Sequence, residues 1–432
     1  MSDWDLSDLE EWDTRICEIA RSHGLDWYPI TYETCDYYEM IGNMAYHGMP
    51  THYGHWSYGK SFEIQHSQYQ HGMTGLPYEL IINSNPCISY LMRENPLYLQ
   101  ILIMAHCVGH SDFFKQNRMF KHTRADTIVP RMRNSKKRIQ KYIEDPSIGI
   151  EEVEKYIDAA QSLSYQIPKH PIDYGSLKEE YEEYITTRKN DKDFDINQIP
   201  PEPEYDILGF ILDYGENLEP WQKDIISIVR DEAYYFMPQI RTKVMNEGWA
   251  CFWHYKILHE LNLSQNLHIP FIKSHNQVVR PHVGRINPYH LGFHMFNKIE
   301  KRYGLSECFI AHEVHHDESF IRQYLTREDC EELNLFSYAR KNKSEGYVVE
   351  NVSDEDGWKP IKDGLIKQTG SNSIPTICVD NIDSGHILVL HHEHDGRDLK
   401  LKYAEQVLEH CKQLWGSEVK LITMVDDAPF EI

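Results

Sequence analysis

The chain has 432 residues, of which 41% are hydrophobic and 12% aromatic, enough for a large core and for two or three domains. Its formal net charge of -23 disfavours nucleic acid and anionic membranes as partners, because like charges repel. The sequence lacks an apolar run of about 18 residues, and its nine cysteines include no CxxC pair. We therefore expect a cytoplasmic protein with reduced thiols and no membrane insertion.

The N-terminal part of the sequence predicts helices, a block of loops and a strand. Apolar residues recur at helical spacing from Leu6 to His23, which predicts an amphipathic helix. The following block, through MPTHYGHWSYGKSFE, is dense in Tyr, His and Gly and predicts ordered loops. The run from Tyr78 to Pro86 predicts a strand, and residues Pro86–Pro96 and Leu97–Lys115 predict two helices. The second of these helices is apolar nearly all round, so we expect it to be buried.

The middle of the chain alternates between charged and helical segments. A charged, proline-bearing stretch at about residues 145–205 predicts a surface excursion or internal linker. A long helical pattern follows from Glu219 to Leu263, and Pro238 should kink it or divide it in two. A further helix is expected at Tyr289–Tyr303.

The C-terminal residues have a different pattern. After a polar linker at 341–374, residues 375–432 predict two strands, an amphipathic helix and a third strand. The predicted fold class is therefore α+β. It combines a mainly helical domain at 1–340, which contains a buried polar site, with a small α/β C-terminal domain.

Two histidines in the predicted buried helix have the spacing of a metal site. In AHCVGHSDFF, His106 and His110 lie four residues apart, so they share one helix face and can direct their rings to one point. A later helix offers Glu247 and, two turns further, His254 in NEGWACFWH. These residues predict a site for a divalent transition metal, with zinc first and iron or manganese as alternatives. The other interpretation is that the histidines only satisfy polar groups in the core.

A general base is the missing part of this predicted site. Cys107 stands where HExxH peptidases keep their catalytic glutamate, so proton transfer must come from another residue. The candidates are Glu232 on the preceding helical segment and Asp317 or Glu318 in AHEVHHDESF. Each of them could instead belong to a buried salt bridge.

A second group of polar residues could line a substrate pocket. The segment THYGHWSYGKSFE places His55 and Lys60 among aromatic residues and glycines, where Lys60 could bind an anionic group. The alternative is a loop held in place by aromatic packing.

Several segments, read in chain order, resemble the SpoVR family, named after stage V sporulation protein R. The resemblance covers nearly the whole chain, from Leu9 to Val425, and its motifs are long. The matching segments are HWSYGKSFE, YELIINSNPCISYLM, AHCVGHSDFFK, YYFMPQIRTKVMNEGWACFWH, INPYHLGF and HHDESFIRQYLT.

The resemblance implies a role in spore cortex formation or in a stress response. It also implies two partners, a PrkA-type serine protein kinase and a protein with a von Willebrand A-like region. Carried over residue by residue, the family motifs support His106, His110, Glu247 and His254 as a site. The order of an HxxxH pair and a later Glu-Gly-Trp-Ala is also similar to gluzincin-type metallopeptidases.

Two hypotheses of function follow. The first is a metal-dependent hydrolase of amide bonds with His106, His110 and Glu247 as ligands. The second is a non-catalytic scaffold or regulator in a serine-kinase-linked complex, whose polar interior only fixes the fold. A histidine-rich site that binds iron for redox work is a third option.

Overall fold

The structure is a computed structural model that describes residues 3–71, 79–169, 177–188, 198–282, 286–342 and 346–432. The side chains of residues 337–350 lie outside this description. The helices are α1 (Leu6–Ser22), α2 (Tyr37–Ala45), α3 (Trp56–Gln70), α4 (Leu97–Gln116), α5 (Ile128–Glu144), α6 (Gly149–Leu163), α7 (Leu177–Arg188), α8 (Ile207–Tyr214), α9 (Pro220–Arg241), α10 (Lys243–Glu260), α11 (Gln265–Val278), α12 (Pro288–Tyr303), α13 (Leu305–Val314), α14 (Asp317–Tyr324), α15 (Arg327–Glu332), α16 (Trp358–Gln368) and α17 (Leu401–Trp415). The strands are β1 (Ile30–Cys35), β2 (Glu79–Ile82), β3 (Cys87–Met92), β4 (Phe336–Asn342), β5 (Gly346–Val352), β6 (Ile377–Asp383), β7 (Ile387–His392), β8 (Val419–Val425) and β9 (Ala428–Glu431). Helices dominate and the strands form small sheets, which confirms the predicted α+β class.

The described chain divides into two compact units. The first unit comprises Met1–His52, Trp56–Arg131 and Pro238–Ser373, and the second comprises Tyr53–His55, Met132–Met237 and Ile374–Ile432.

The segment predicted as a linker, 341–374, contains β5 and α16, and residues 343–345 of it lie outside the described residues.

A three-stranded sheet in the first unit has the order β1-β3-β2, with β1 parallel and β2 antiparallel to the central strand. The helix predicted over Pro86–Pro96 is therefore wrong, because Cys87–Met92 is that central strand. A short apolar run fits a buried strand and a buried helix equally well, and only its neighbours decide between them. Here Ile30 pairs with Cys87 on one side, and Ile82 pairs with Ile88 on the other.

The block of loops predicted after the first helix is also wrong, because it contains α2 and α3. Helix α2 begins with a capping box, in which Asp36 accepts from the Glu39 backbone N–H at 2.9 Å. The Glu39 carboxylate accepts in turn from the Asp36 backbone N–H at 2.8 Å. Both helix-end donors are thereby satisfied, although little apolar periodicity supports the helix.

The buried core of the first unit is built on α10, which packs against α4 and α12. The three helices approach so closely that their backbones touch. A Cβ atom at Gly109 of α4 would lie 2.7 Å from Ala250 Cα of α10, and one at Gly248 would overlap Gly292 Cα of α12. Glycine is required at such crossings because any side chain would push the helices apart. The crossings fix how α4 and α10 face each other.

The long predicted helix is divided into α9 and α10 at Thr242, and Pro238 lies inside α9. The helix continues past the proline to Arg241 and then ends, and the Thr242 hydroxyl donates to the Pro238 carbonyl at 2.7 Å. Asp317 closes the start of α10, where its carboxylate accepts from the backbone N–H groups of Val244 and Met245 at 2.9 Å each. A carboxylate suits this position because the N-terminus of a helix carries partial positive charge.

The second unit contains a four-stranded sheet of order β6-β7-β8-β9. The parallel pair β7 and β8 is connected through α17, and Trp415 of this helix is fully buried. The predicted two strands, helix and third strand are confirmed, and β9 adds a fourth strand. The stretch predicted as an excursion contains α6 and α7, whose apolar residues join the same core. Residues 170–176 and 189–197 of that stretch lie outside the described residues.

Among the helices of the described residues, none combines the length and the apolar character needed to cross a lipid bilayer.

Replacing Gly109 or Gly248 with alanine should destabilise the protein by about 1–3 kcal/mol, because the added methyl group forces α10 away from its neighbours. Chemical denaturation followed by circular dichroism measures this change. Gly364 in α16 is the matched control, since a Cβ there meets no atom within 4 Å. Gly364→Ala should be neutral or stabilising by about 0.5–1 kcal/mol. Wild-type stability of Gly248→Ala would contradict the inferred contact.

Candidate metal centre

Four side chains from three elements converge on one small volume. His106 and His110 extend from α4, Glu247 extends from α10, and Glu79 is the first residue of β2. Glu247 Oε2 lies 3.4 Å from His110 Nε2 and 3.7 Å from His106 Nε2, and Glu79 Oε1 lies 3.5 Å from His106 Nε2. The structure thus brings the predicted histidine pair and Glu247 together, and it adds a second carboxylate.

These separations are those expected of ligand atoms around a single ion. Nitrogen and oxygen ligands about 2.1 Å from a tetrahedral ion lie about 3.4 Å from each other. Hydrogen bonds from a charged imidazole to a carboxylate would be shorter, at about 2.7–2.9 Å. Within the part of the chain that the structure describes, His106 Nε2 and Glu247 Oε2 are buried and have no hydrogen-bond partner. A cation between them would satisfy both atoms.

The outer nitrogens of both histidines are occupied by hydrogen bonds. His110 Nδ1 lies 2.8 Å from Asn246 Oδ1, an oxygen that can only accept. His110 therefore carries a proton on Nδ1, which in the neutral ring leaves the Nε2 lone pair directed at the pocket. His106 Nδ1 makes a 2.9 Å contact with His254 Nδ1. Partners of this kind orient the imidazole ligands of metal sites.

The charges of the pocket are coupled. Burial alone would raise the pKa of Glu247, but the His106 and His110 rings outweigh burial and lower it. Burial raises the pKa of Glu79, and the nearby Glu247 carboxylate adds to this, against the opposing effect of the two histidines. Burial would lower the pKa of His110, yet its contact with Glu247 raises it. Two carboxylates in so small a volume favour a bound positive charge.

His254, the fourth predicted ligand, lies behind His106 rather than beside Glu247. Its Nε2 is 2.7 Å from His275 Nδ1, so His254 joins two other imidazoles. Burial lowers the pKa of His254 well below its usual value, with the neighbouring rings adding to the effect. His254 forms one group of potential ligand atoms with Cys251 and His106, and Glu79 forms another with His106 and His110. The role of His254 as a direct ligand stays a prediction.

The predicted bases all have structural contacts. Glu232 belongs to the second unit and accepts a hydrogen bond from the Tyr53 hydroxyl at 3.0 Å. Glu318 accepts from Arg322 at 2.9 Å and from Asn372 at 3.0 Å. Asp317 caps α10, and burial raises its pKa to about 7 in spite of the hydrogen bonds that it accepts from two backbone N–H groups. Their catalytic roles stay predictions that gain no support from these contacts.

The two residues predicted to line a substrate pocket belong to different units. His55 Nε2 lies 3.4 Å from an Asp158 carboxylate oxygen in the second unit. Lys60 lies on α3 in the first unit, with its ammonium group 5.6 Å from the centre of the Trp56 ring. Substrate binding by these residues also stays a prediction.

The sequence did not predict that Glu79 and Tyr289 belong to the pocket. Glu79 stands alone at the start of a strand, and no spacing connects it with the HxxxH pair. Tyr289 is the second residue of α12, and its ring lies nearly parallel to that of His106 with the ring centres 6.3 Å apart. Burial and then the carboxylates of Glu247 and Glu79 raise the pKa of Tyr289 well above its usual value. The segment INPYHLGF carried the signal for Tyr289, because Asn287 caps α12 there.

The raised pKa of Glu79 predicts a pH-dependent effect on the metal-free protein. A carboxyl group whose pKa is raised by folding costs stability as the pH rises above its unfolded value, so Glu79→Gln should remove this cost. After removal of metal with a chelator, the free energy of unfolding of the variant should exceed that of the wild type by more at about pH 8 than at about pH 5.

Glu33 on the exposed side of β1 serves as the control. Chemical denaturation of Glu33→Gln should give the same difference from the wild type at both pH values. A Glu79→Gln protein that is less stable than the wild type at the higher pH would contradict the inferred repulsion.

Comparisons with known proteins bear out the resemblance described above. The family description "SpoVR like protein" matches residues 3–374, and "SpoVR-like C-terminal domain" matches residues 375–426. The chain is similar to the uncharacterized protein YcgB of Escherichia coli (strain K12), with 33% identity over 483 aligned positions that cover 100% of this chain and 94% of the relative. No solved structure matches the chain significantly. Because the family matches extend from residue 3 to residue 426, this chain belongs to the SpoVR family.

Proposed function

We propose that this SpoVR-family protein is a metal-dependent hydrolase of amide bonds, with His106, His110 and Glu247 as the metal ligands. One observation carries the proposal. The buried atoms His106 Nε2 and Glu247 Oε2 face each other at 3.7 Å and have no hydrogen-bond partner among the described residues. Groups buried in this way are costly unless something compensates them, and a divalent cation would do so.

The ligand set supports a catalytic rather than a purely structural ion. Two imidazole nitrogens and one carboxylate oxygen are typical of catalytic zinc, and they also suit iron or manganese. Three protein ligands leave a coordination position for water or substrate. When bound, the ion would lower the pKa of a water molecule and polarise the carbonyl group of an amide.

We propose Glu79 as the general base in place of the predicted Glu232, Asp317 and Glu318. Cys107 is unsuited to this role, because burial raises the pKa of its thiol well above the usual value. Glu79 faces the same pocket from β2, with Oε1 3.5 Å from His106 Nε2. Burial raises its pKa, which suits a group that must accept a proton near neutral pH.

Tyr289 would assist the reaction from the opposite element, α12. Its pKa is raised first by burial, so the phenol keeps its proton and can donate a hydrogen bond. A donor beside the ligand Glu247 could stabilise the negative charge that develops on the carbonyl oxygen.

Elemental analysis tests the metal centre. Protein purified without chelators should contain about one equivalent of a divalent transition metal, and His106→Ala and Glu247→Ala should lose it. His23→Ala is the control, because His23 bonds to Glu260 at the surface, and it should leave the metal content unchanged. A metal content below about one tenth of an equivalent, with no binding on titration, would remove the proposal.

The Glu79→Gln variant tests whether Glu79 is the general base or a metal ligand. This variant should keep its metal while losing the release of free amino groups from a peptide mixture, because an amide cannot accept the proton. Loss of the metal together with activity would instead identify Glu79 as a fourth ligand.

The alternative is a scaffold or regulator in a complex with a PrkA-type serine kinase and a von Willebrand A-like protein, in a stress response or in spore cortex formation. A buried network favours it: Asp112 accepts from Trp249 Nε1 at 2.8 Å and lies 3.2 Å from His312 Nε2. Such a network can fix a fold without catalysis. Complementation of a deletion strain by a folded His110→Ala protein would favour the scaffold. In either role we propose a cytoplasmic location, in keeping with nine free cysteines.

A further inference from the structure

Behind His106, on the side away from the two carboxylates, a line of imidazoles continues into the core. His106 Nδ1 lies 2.9 Å from His254 Nδ1 on α10, and His254 Nε2 lies 2.7 Å from His275 Nδ1 on α11. All three rings are buried. The line therefore joins the pocket to a helix that contributes none of the proposed ligands.

Only two arrangements of protons satisfy this line of neutral rings. A neutral imidazole has one N–H and one lone pair, so the direction of one hydrogen bond sets the direction of the next. In the first arrangement, His275 donates to His254 and His254 donates to His106. His106 Nε2 then carries a proton and must find an acceptor in the pocket.

The geometry of the pocket disfavours the first arrangement. The nearest carboxylate oxygens lie 3.5 Å and 3.7 Å from His106 Nε2, which is longer than a normal hydrogen bond. In the second arrangement His106 donates to His254, and His254 donates to His275. His106 Nε2 then presents its lone pair to the pocket, as a metal ligand must.

The distance between His106 Nδ1 and His254 Nδ1 also indicates whether these atoms share a hydrogen bond or coordinate the same ion. Two nitrogens bound to one tetrahedral ion at about 2.0–2.1 Å would lie about 3.3–3.4 Å apart. The observed 2.9 Å between the two Nδ1 atoms is the length of a hydrogen bond.

We propose that His254 and His275 are positioning residues of the metal centre, which hold His106 in the tautomer whose Nε2 lone pair faces the ion. This inference rests on the proposed metal site. It gives His254 a role in metal affinity without contact with the ion. Asn246 has the same role for His110, because its amide oxygen accepts from His110 Nδ1 at 2.8 Å.

Packing holds the far end of the line in place. The His275 ring centre lies 4.8 Å from that of Phe293 and 4.8 Å from that of Tyr255. These aromatic neighbours confine the ring without occupying Nδ1, so His275 remains available as the acceptor for His254.

Metal affinity measured by competition with a chelating dye tests the proposal. His254→Leu should bind zinc or cobalt about 10–100-fold more weakly than the wild type, which is the usual effect of removing the partner of a ligand histidine. His254→Asn should recover most of the loss, because its amide oxygen can accept from His106 Nδ1. His275→Phe keeps the aromatic packing and removes only the second acceptor, so it should weaken binding by roughly tenfold.

The cobalt-loaded proteins distinguish a positioning residue from a ligand. At saturating cobalt, the visible bands of His254→Asn and His275→Phe should keep the wild-type positions, since the coordinating atoms are unchanged. His259→Asn on α10 is the control and should bind normally, because His259 Nδ1 bonds to the Tyr255 carbonyl at 2.7 Å and not to a ring of the line.

Several outcomes would overturn the inference. Wild-type affinity in both His254→Leu and His275→Phe would show that the line has no effect on the site. Shifted cobalt bands in His254→Asn, or a thiolate-to-cobalt band in the wild type, would place the ion at Cys251 and His254 instead. Wild-type protein that binds no cobalt at all would remove the metal centre itself, and the positioning role with it.

Discussion

The contact of the α10 backbone with both α4 and α12 is the constraint on which the candidate site depends. Gly109 meets Ala250 on one side, and Gly248 meets Gly292 on the other, with no room for a Cβ atom at either crossing. Ligand atoms must lie within tenths of an ångström of their ideal positions, and flexible contacts between long side chains hold such positions poorly. The backbone contact of Gly248, the residue after Glu247, fixes the position of Glu247 along α10 relative to the histidine pair. The small residues of the Glu-Gly-Trp-Ala motif thus explain the geometry of the candidate site, in which the glutamate is a proposed ligand.

Other buried carboxylates of the first unit show what the pocket lacks. Asp329 is met by Arg302 in a bidentate contact at 2.8 and 2.9 Å, and Asp317 accepts two backbone N–H groups. Each of these carboxylates accepts hydrogen bonds at 2.8–2.9 Å. Among the described residues, Glu79 and Glu247 face the His106 and His110 rings at 3.4–3.7 Å, which is longer than these hydrogen bonds, and Tyr289 lies beside Glu247. Because a buried carboxylate is costly unless short hydrogen bonds or a cation meet it, the longer distances favour a ligand rather than a structural role.

The sequence predicted those parts of the site that depend on local spacing. His106 and His110 follow from helix periodicity, and Glu247 follows from its position two turns before His254 on a later helix. Glu79 could not be predicted in this way, since it reaches the pocket through a sheet whose central strand was interpreted as a helix. The pairing of β1 with β3 joins residues far apart in the chain, and no local pattern records it. The capping signal at Asp36 and Glu39 was local, by contrast, and could have identified α2.

The missing glutamate of the HExxH pattern has a structural explanation in that sheet. Cys107 lies next to His106 on α4, and its Sγ is 3.2 Å from the Ser89 hydroxyl of β3. A carboxylate at this position would be buried against the strand. Ser89 pairs with Ile81 of β2, and Glu79 lies two residues before Ile81 on the same strand. The strands that pack over Cys107 therefore also carry Glu79 to the histidines, so that a sheet residue can supply what the helix does not.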